Sequence, residues 1–163
     1  MKIITLALIL MLALTPACAE TPDYSDDTVY SNFAGRLYIP EVGIDVALYR
    51  SNKQNVVDRD DSAAYFDLPP WNGHMLIADH NTQAFGPLLD VSVGMEATIN
   101  HTDGTETRYT CTDVFDGHNT GKYISDWSGK IVMHRADLLM YTCLGYWRNV
   151  RVTLWTTQES GKI

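Results

Sequence analysis

Apolar residues in this chain recur mostly at every second position, over short runs separated by turn-forming residues. "GRLYIP" alternates and ends at Pro40, as a strand running into a turn does. "VGIDVALY" predicts a second strand and "HMLIAD" a short buried one. "EATINHTDGTETRYTCTDVF" has two alternating segments flanking Asp103-Gly104, a dipeptide suited to the positive dihedrals of a tight turn, and predicts a hairpin. "KIVMHRADLLMYTC" and "VRVTLW" supply the last strands. Helix is scarce. "DRDDSAAYF" reads as a short helix capped by Asp60 or Asp61, and "AFGPLLDV" as one helical turn broken at Gly86-Pro87. Many short strands with little amphipathic helix predict a closed or nearly closed β-barrel.

The N-terminus has a different pattern. Lys2 precedes the apolar stretch Ile3–Leu14, Pro16 ends any helix, and Ala17-Cys18-Ala19 supplies small residues for signal-peptide cleavage after Ala19. The apolar run is shorter than the roughly 20 residues that span a bilayer. Residues 1–19 therefore read as a cleavable signal peptide, 20–34 as an acidic flexible linker, 35–156 as the barrel domain and 157–163 as a polar tail. Secretion or display at the cell surface is expected. An uncleaved membrane anchor, or a lipid on Cys18, is the alternative.

Composition changes the picture in one respect. The net charge of the 163 residues is −8, with no run of Lys or Arg. Binding to a phosphate backbone needs cations to displace counterions, so no nucleic-acid partner is expected. A monomer is.

Chemistry centres on the cysteines. Without Cys18, Cys111 and Cys143 are left in an oxidising compartment, where a pair most often forms a disulfide. Cys143 also ends one apolar run shortly before an arginine in the next. In "VRVTLW" the two-residue period puts Val150, Val152 and Leu154 on one face and Arg151 on the other, with Arg148 in the loop. A guanidinium beside Cys143 would favour the reactive thiolate and could hold an oxyanion. Five histidines are candidates for the acid or base. His101 and His134 read as solvated or loop residues, His118 as part of a turn-rich loop, and His74 and His80 as brackets around a buried strand. Residue chemistry favours His80, at that strand's exit.

The order of these segments resembles the sortase family of Gram-positive cysteine transpeptidases over about residues 35–155. The shared points are the "L.IP..GI" opening, a histidine followed by a phenylalanine and "L..V..G", "TC" closing an apolar strand, and an arginine opening the next. Where the family commonly has a glycine before the histidine, this chain has Ala78-Asp79. The resemblance implies a mainly β fold, a closed barrel of about eight strands with one or two short helices. It implies Cys143 as nucleophile, His80 as acid/base and Arg151 as the oxyanion-stabilising cation, with Arg148 second. Thr142, beside the nucleophile, would help bind substrate.

The implied substrate is a peptide sorting signal of a secreted protein, passed through a thioacyl-enzyme to an amine of a cell-wall precursor or pilin. No cofactor is implied; calcium on Asp113, Asp116 and Asp126 is open. Trp71, Trp127, Trp147 and Trp155 are either groove-lining or barrel core and rim. Two readings compete with the transpeptidase: a peptidase with water as acceptor, and a non-catalytic secreted barrel with a Cys111–Cys143 disulfide.

Overall fold

A computed structural model describes residues 32–51, 54–67, 74–145 and 148–158. The expected signal segment, nearly all of the linker, Trp71, Trp147 and most of the polar tail lie outside them. The strands are β1 (Phe33–Ile39), β2 (Ile44–Arg50), β3 (Ser62–Asp67), β4 (Met75–Ala78), β5 (Glu96–His101), β6 (Glu106–Asn119), β7 (Ile124–Asp126), β8 (Leu138–Cys143) and β9 (Asn149–Thr157). One helical turn, α1 (Gln54–Val57), precedes β3, and 3-10 turns span Pro40–Val42 and Gly86–Asp90.

Eight strands close the expected barrel in the order β5-β1-β2-β3-β4-β8-β9-β6, with β6 pairing back onto β5. The ninth, β7, hangs on the far end of β6. Two pairs are parallel, β2–β3 and β4–β8. A parallel pair cannot be joined by a tight hairpin, so its strands must come from well-separated parts of the chain.

The sheet separates two apolar layers. Along β8, Leu138 and Met140 join the barrel interior with Leu37, Val46, Phe85 and Trp155. Leu139 faces the other way, with Leu76, Ile124, Val132, Val150 and Val152. Because β8 and β9 are covered on both sides, they read as nearly continuous apolar runs. Trp155 is fully buried, and losing such a ring costs about 3–5 kcal/mol.

Two segments differ from the expectation. "SAAYFD" is strand β3, and the helical turn lies just before it at Gln54–Val57. Ser62, Ala63, Ala64 and Tyr65 are all buried, so the run lacks the alternation that marks a half-exposed strand. Of "KIVMHRADLLMYTC", only Leu138–Cys143 is named strand. The hairpin forms as expected, with Gly104 at φ 85° and the Asp103 carboxylate accepting from the Thr105 amide at 2.9 Å. Gly35 is required where β1 meets β5: its φ is +143°, and a Cβ there would collide with the Asn100 carbonyl.

Candidate active site

The parallel β4–β8 register sets the site. Ala78 at the end of β4 pairs with Tyr141 of β8. Continuing one step places Asp79 beside Thr142, and the Thr142 hydroxyl donates to the Asp79 carbonyl at 2.8 Å. A second step brings His80 level with Cys143. Both line one cleft of about 550 Å³, whose walls include apolar Val57, Phe66, Leu76 and Met133 and polar Asn119, Lys122 and Tyr141.

Cys143 is an exposed free thiol at the strand end. Partial desolvation by the cleft walls raises its pKa above the ordinary value. Tyr141 next to it is raised by burial and by the Cys143 charge, and its hydroxyl accepts from the Asn119 side-chain amide at 3.2 Å. His80 Nε2 lies 2.9 Å from Asp58 Oδ1.

Asp79 is the unusual member. It is 3% exposed, and neither carboxylate oxygen has a hydrogen-bond partner. Burial pushes its pKa up to about 7; the backbone N–H groups of His80, Phe85 and Ala84 oppose this only weakly, since none completes a full hydrogen bond to the carboxylate, as does the charge of His80.

The structure brings Cys143 and His80 together and leaves the other two expected residues aimed elsewhere. Arg151 pairs with Thr142 across β8–β9, whereas Cys143 pairs with Val150. Val150 belongs to the outer apolar layer and Trp155, which shares Arg151's parity, to the barrel interior. Arg151 therefore lies on the face opposite Cys143. There its Nε donates to Asp116 Oδ1 at 2.7 Å and its Nη1 to the Leu89 carbonyl at 3.1 Å. Thr142 is fully buried on that same face, so its hydroxyl clips two strands together away from the cleft. Arg148 is tied to the cleft residue Asn119 through its backbone. It is exposed at φ 64°, its carbonyl accepts from the Asn119 amide at 2.8 Å, and its Nη1 reaches the Thr120 carbonyl at 3.5 Å.

The disulfide reading is overturned. Both cysteines are free. Cys111 is buried and pairs with Trp155 of β9, while Cys143 pairs with Val150. Five residues of strand separate those positions, roughly 17 Å at the rise of a strand, and the two thiols are on opposite faces. Burial raises Cys111 to about 11, which suits an inert core thiol.

The remaining candidates are spread out. His74 Nδ1–H donates to the Ala136 carbonyl at 2.6 Å, His101 bonds the Thr107 hydroxyl at 2.9 Å, and His134 is exposed. His118 lies in β6 rather than a loop, edge-on to the exposed Trp127 ring at 4.3 Å. Among the described residues no three His, Cys, Asp or Glu side chains converge as metal ligands. Asp116 is engaged with Arg151, and Asp126 with Ser128 and Arg135. Sequence reasoning missed Asp58, which lay in a segment assigned to a helix; its contact with His80 becomes visible only once β3 starts at Ser62.

A closed eight-stranded barrel carrying a thiol and an imidazole at the ends of adjacent parallel strands defines the class: this is the sortase fold. Solved structures agree at low identity. Sortase C from Clostridium perfringens SM101 superposes with a TM-score of 0.58 at 14% identity, over 78% of this chain and 70% of that one. A Clostridium perfringens sortase D5 transpeptidase gives 0.59 at 16%, over 83% and 90%. Clostridium perfringens sortase C with the C-terminal cell wall sorting motif gives 0.59 at 15%, over 78% and 71%. No protein-family model matches the chain, and no curated protein does.

Proposed function

We propose that the protein is a sortase-like cysteine transpeptidase. The observation that carries this reading is the β4–β8 register, which puts an exposed free Cys143 and His80 on one cleft. In the first half-reaction the Cys143 sulfur attacks a peptide carbonyl carbon, and its proton passes to His80. The carbon–nitrogen bond breaks, and His80 returns the proton to the departing amine, leaving a thioester on Cys143. In the second, an amine attacks the thioester carbon, the carbon–sulfur bond breaks, and the sulfur regains a proton by way of His80.

Arg148, rather than Arg151, supplies the cation for the developing oxyanion. Arg148 is exposed and bonded to the cleft residue Asn119 and its neighbour Thr120, whereas Arg151 is held by Asp116 and Leu89 on the opposite face. The substrate is a sorting-signal peptide lying along the cleft, a reading supported by the fold neighbour that holds such a motif. The acceptor is an amine of a cell-wall precursor or pilin, and the domain acts outside the cytoplasm behind its N-terminal signal segment. Among the described residues no helix is long and apolar enough to cross a membrane.

Incubation with a library of sorting-signal peptides, with and without an amine, tests this by mass spectrometry of the protein. A thioacyl adduct on Cys143 that an added amine discharges to a ligated product is expected. Absence of the adduct, or its formation in Cys143→Ala, refutes the reading. Discharge by water alone, indifferent to the amine, would make the protein a peptidase.

A further inference from the structure

Resting on the transpeptidase reading, we propose that Asp58 is a positioning residue for His80: its carboxylate holds the Nε2 proton and fixes the ring in the cleft shared with Cys143. The contact is 2.9 Å, between Nε2 and Oδ1. An ionised carboxylate can only accept a hydrogen bond, so Nε2 carries the proton. Nδ1 is then the nitrogen whose protonation changes during transfer. A carboxylate in this position also stabilises the imidazolium formed when Cys143 gives up its proton.

The segment bearing Asp58 is anchored for this task at several points. Val56 is 1% exposed and packs with Ala64, and the Ser62 hydroxyl donates to the Val56 carbonyl at 3.3 Å. Val57, the residue before Asp58, lines the cleft itself. On the other side Gln83, three residues after His80, donates from its side-chain amide to the Asp58 carbonyl at 2.9 Å and to Asp60 Oδ1 at 3.3 Å. The turn carrying the imidazole and the segment carrying the carboxylate are thus tied by two side chains, His80 and Gln83. The other charged groups nearby are differently placed. Arg59 sits over the Tyr49 ring at 4.9 Å and reaches Asp61 at 3.7 Å, Asp79 lies one residue before His80, and Lys122 is in the cleft wall.

The test compares Asp58→Ala, which loses acceptor and charge, with Asp58→Asn, which keeps an acceptor oxygen. In proton NMR of the intact protein, assigned through His80→Gln, the wild type is expected to show a downfield Nε2 proton. Asp58→Ala should lose it and Asp58→Asn should retain it. In the peptide-to-amine assay Asp58→Ala should lower kcat by about tenfold or more, part of the 10²–10⁴ that general acid–base assistance supplies, with KM within about twofold. Added formate, which can enter the half-exposed gap, should restore part of the rate. An Asp58→Ala protein that keeps the downfield proton, or whose whole change falls on KM without formate rescue, overturns the assignment. If Asp58→Ala does not fold, Asp58→Asn decides through kcat: a rate equal to wild type overturns the role of the charge. A wild type never acylated by peptide refutes the transpeptidase, while the NMR arm still judges whether Asp58 holds the ring.

Discussion

Asp79 gives the sharpest stability prediction. Its carboxyl is almost wholly buried, without a hydrogen-bond partner, and its pKa rises from 3.8 to about 7. A folded-state pKa above the unfolded value means that the native protein binds more protons between those two limits. Stability therefore falls as pH rises from about 4 to about 7, and the full cost is present above 7. At 1.36 kcal/mol per pKa unit, the shift corresponds to roughly 4 kcal/mol. Asp79→Asn removes the charge and keeps the shape. Its buried amide brings a desolvation cost of about 1–3 kcal/mol, but that cost is the same at every pH. The variant should thus gain on wild type by roughly 4 kcal/mol between pH 4 and pH 8. Guanidinium unfolding of both proteins at the two pH values, followed by fluorescence of the core Trp155 and circular dichroism, measures this difference of differences. A stability gap that does not change with pH would refute the reasoning, since it would mean the buried carboxyl is solvated or already paired.

The other predictions concern the cleft and its supports. Arg148→Ala should lower turnover by about 10²–10³ with stability little changed, whereas Arg151→Ala should cost about 1 kcal/mol through loss of the half-exposed pair with Asp116 and the bond to the Leu89 carbonyl, with the smaller loss of rate; paired kinetics and melting curves check both, and the reverse pattern would return Arg151 to the site. Thr142→Val leaves the Asp79 carbonyl without its donor, and should cost about 1–3 kcal/mol and slow acylation by loosening His80, as read by denaturation and single-turnover rates. Iodoacetamide without reductant should modify Cys143 in the folded protein and reach Cys111 only on unfolding, as peptide mass mapping will show. Gly117→Ala drives a Cβ into the Ser125 carbonyl of β7, and should loosen the β6–β7 ribbon at the cleft, giving faster hydrogen exchange at Ile124 and Ser125.

Much of the barrel is legible in the alternation of β1, β2, β5 and β6, each with one face inward and one outward. β3 was not, because burial on both faces erases the period that separates strand from helix. That Cys143 and His80 each close an apolar run was legible locally; that both line one cleft follows from the β4–β8 register, which no local pattern gives. The arginine was harder. The two-residue period correctly put Arg151 opposite Val150, but which face Cys143 shares depends on the β8–β9 register, and that pairs Cys143 with Val150. Asp58 is 22 residues from His80, and no local spacing links them.

The parallel pairing of β4 and β8 also joins distant parts of the chain. The contact between Asp79 and Thr142 spans 63 residues, so forming it carries the closure entropy of a long loop. Until that pairing forms, the Cys143 sulfur and the His80 imidazole share no common geometry. Their juxtaposition is a property of the closed barrel, and any loosening of the β4–β8 pair disperses it.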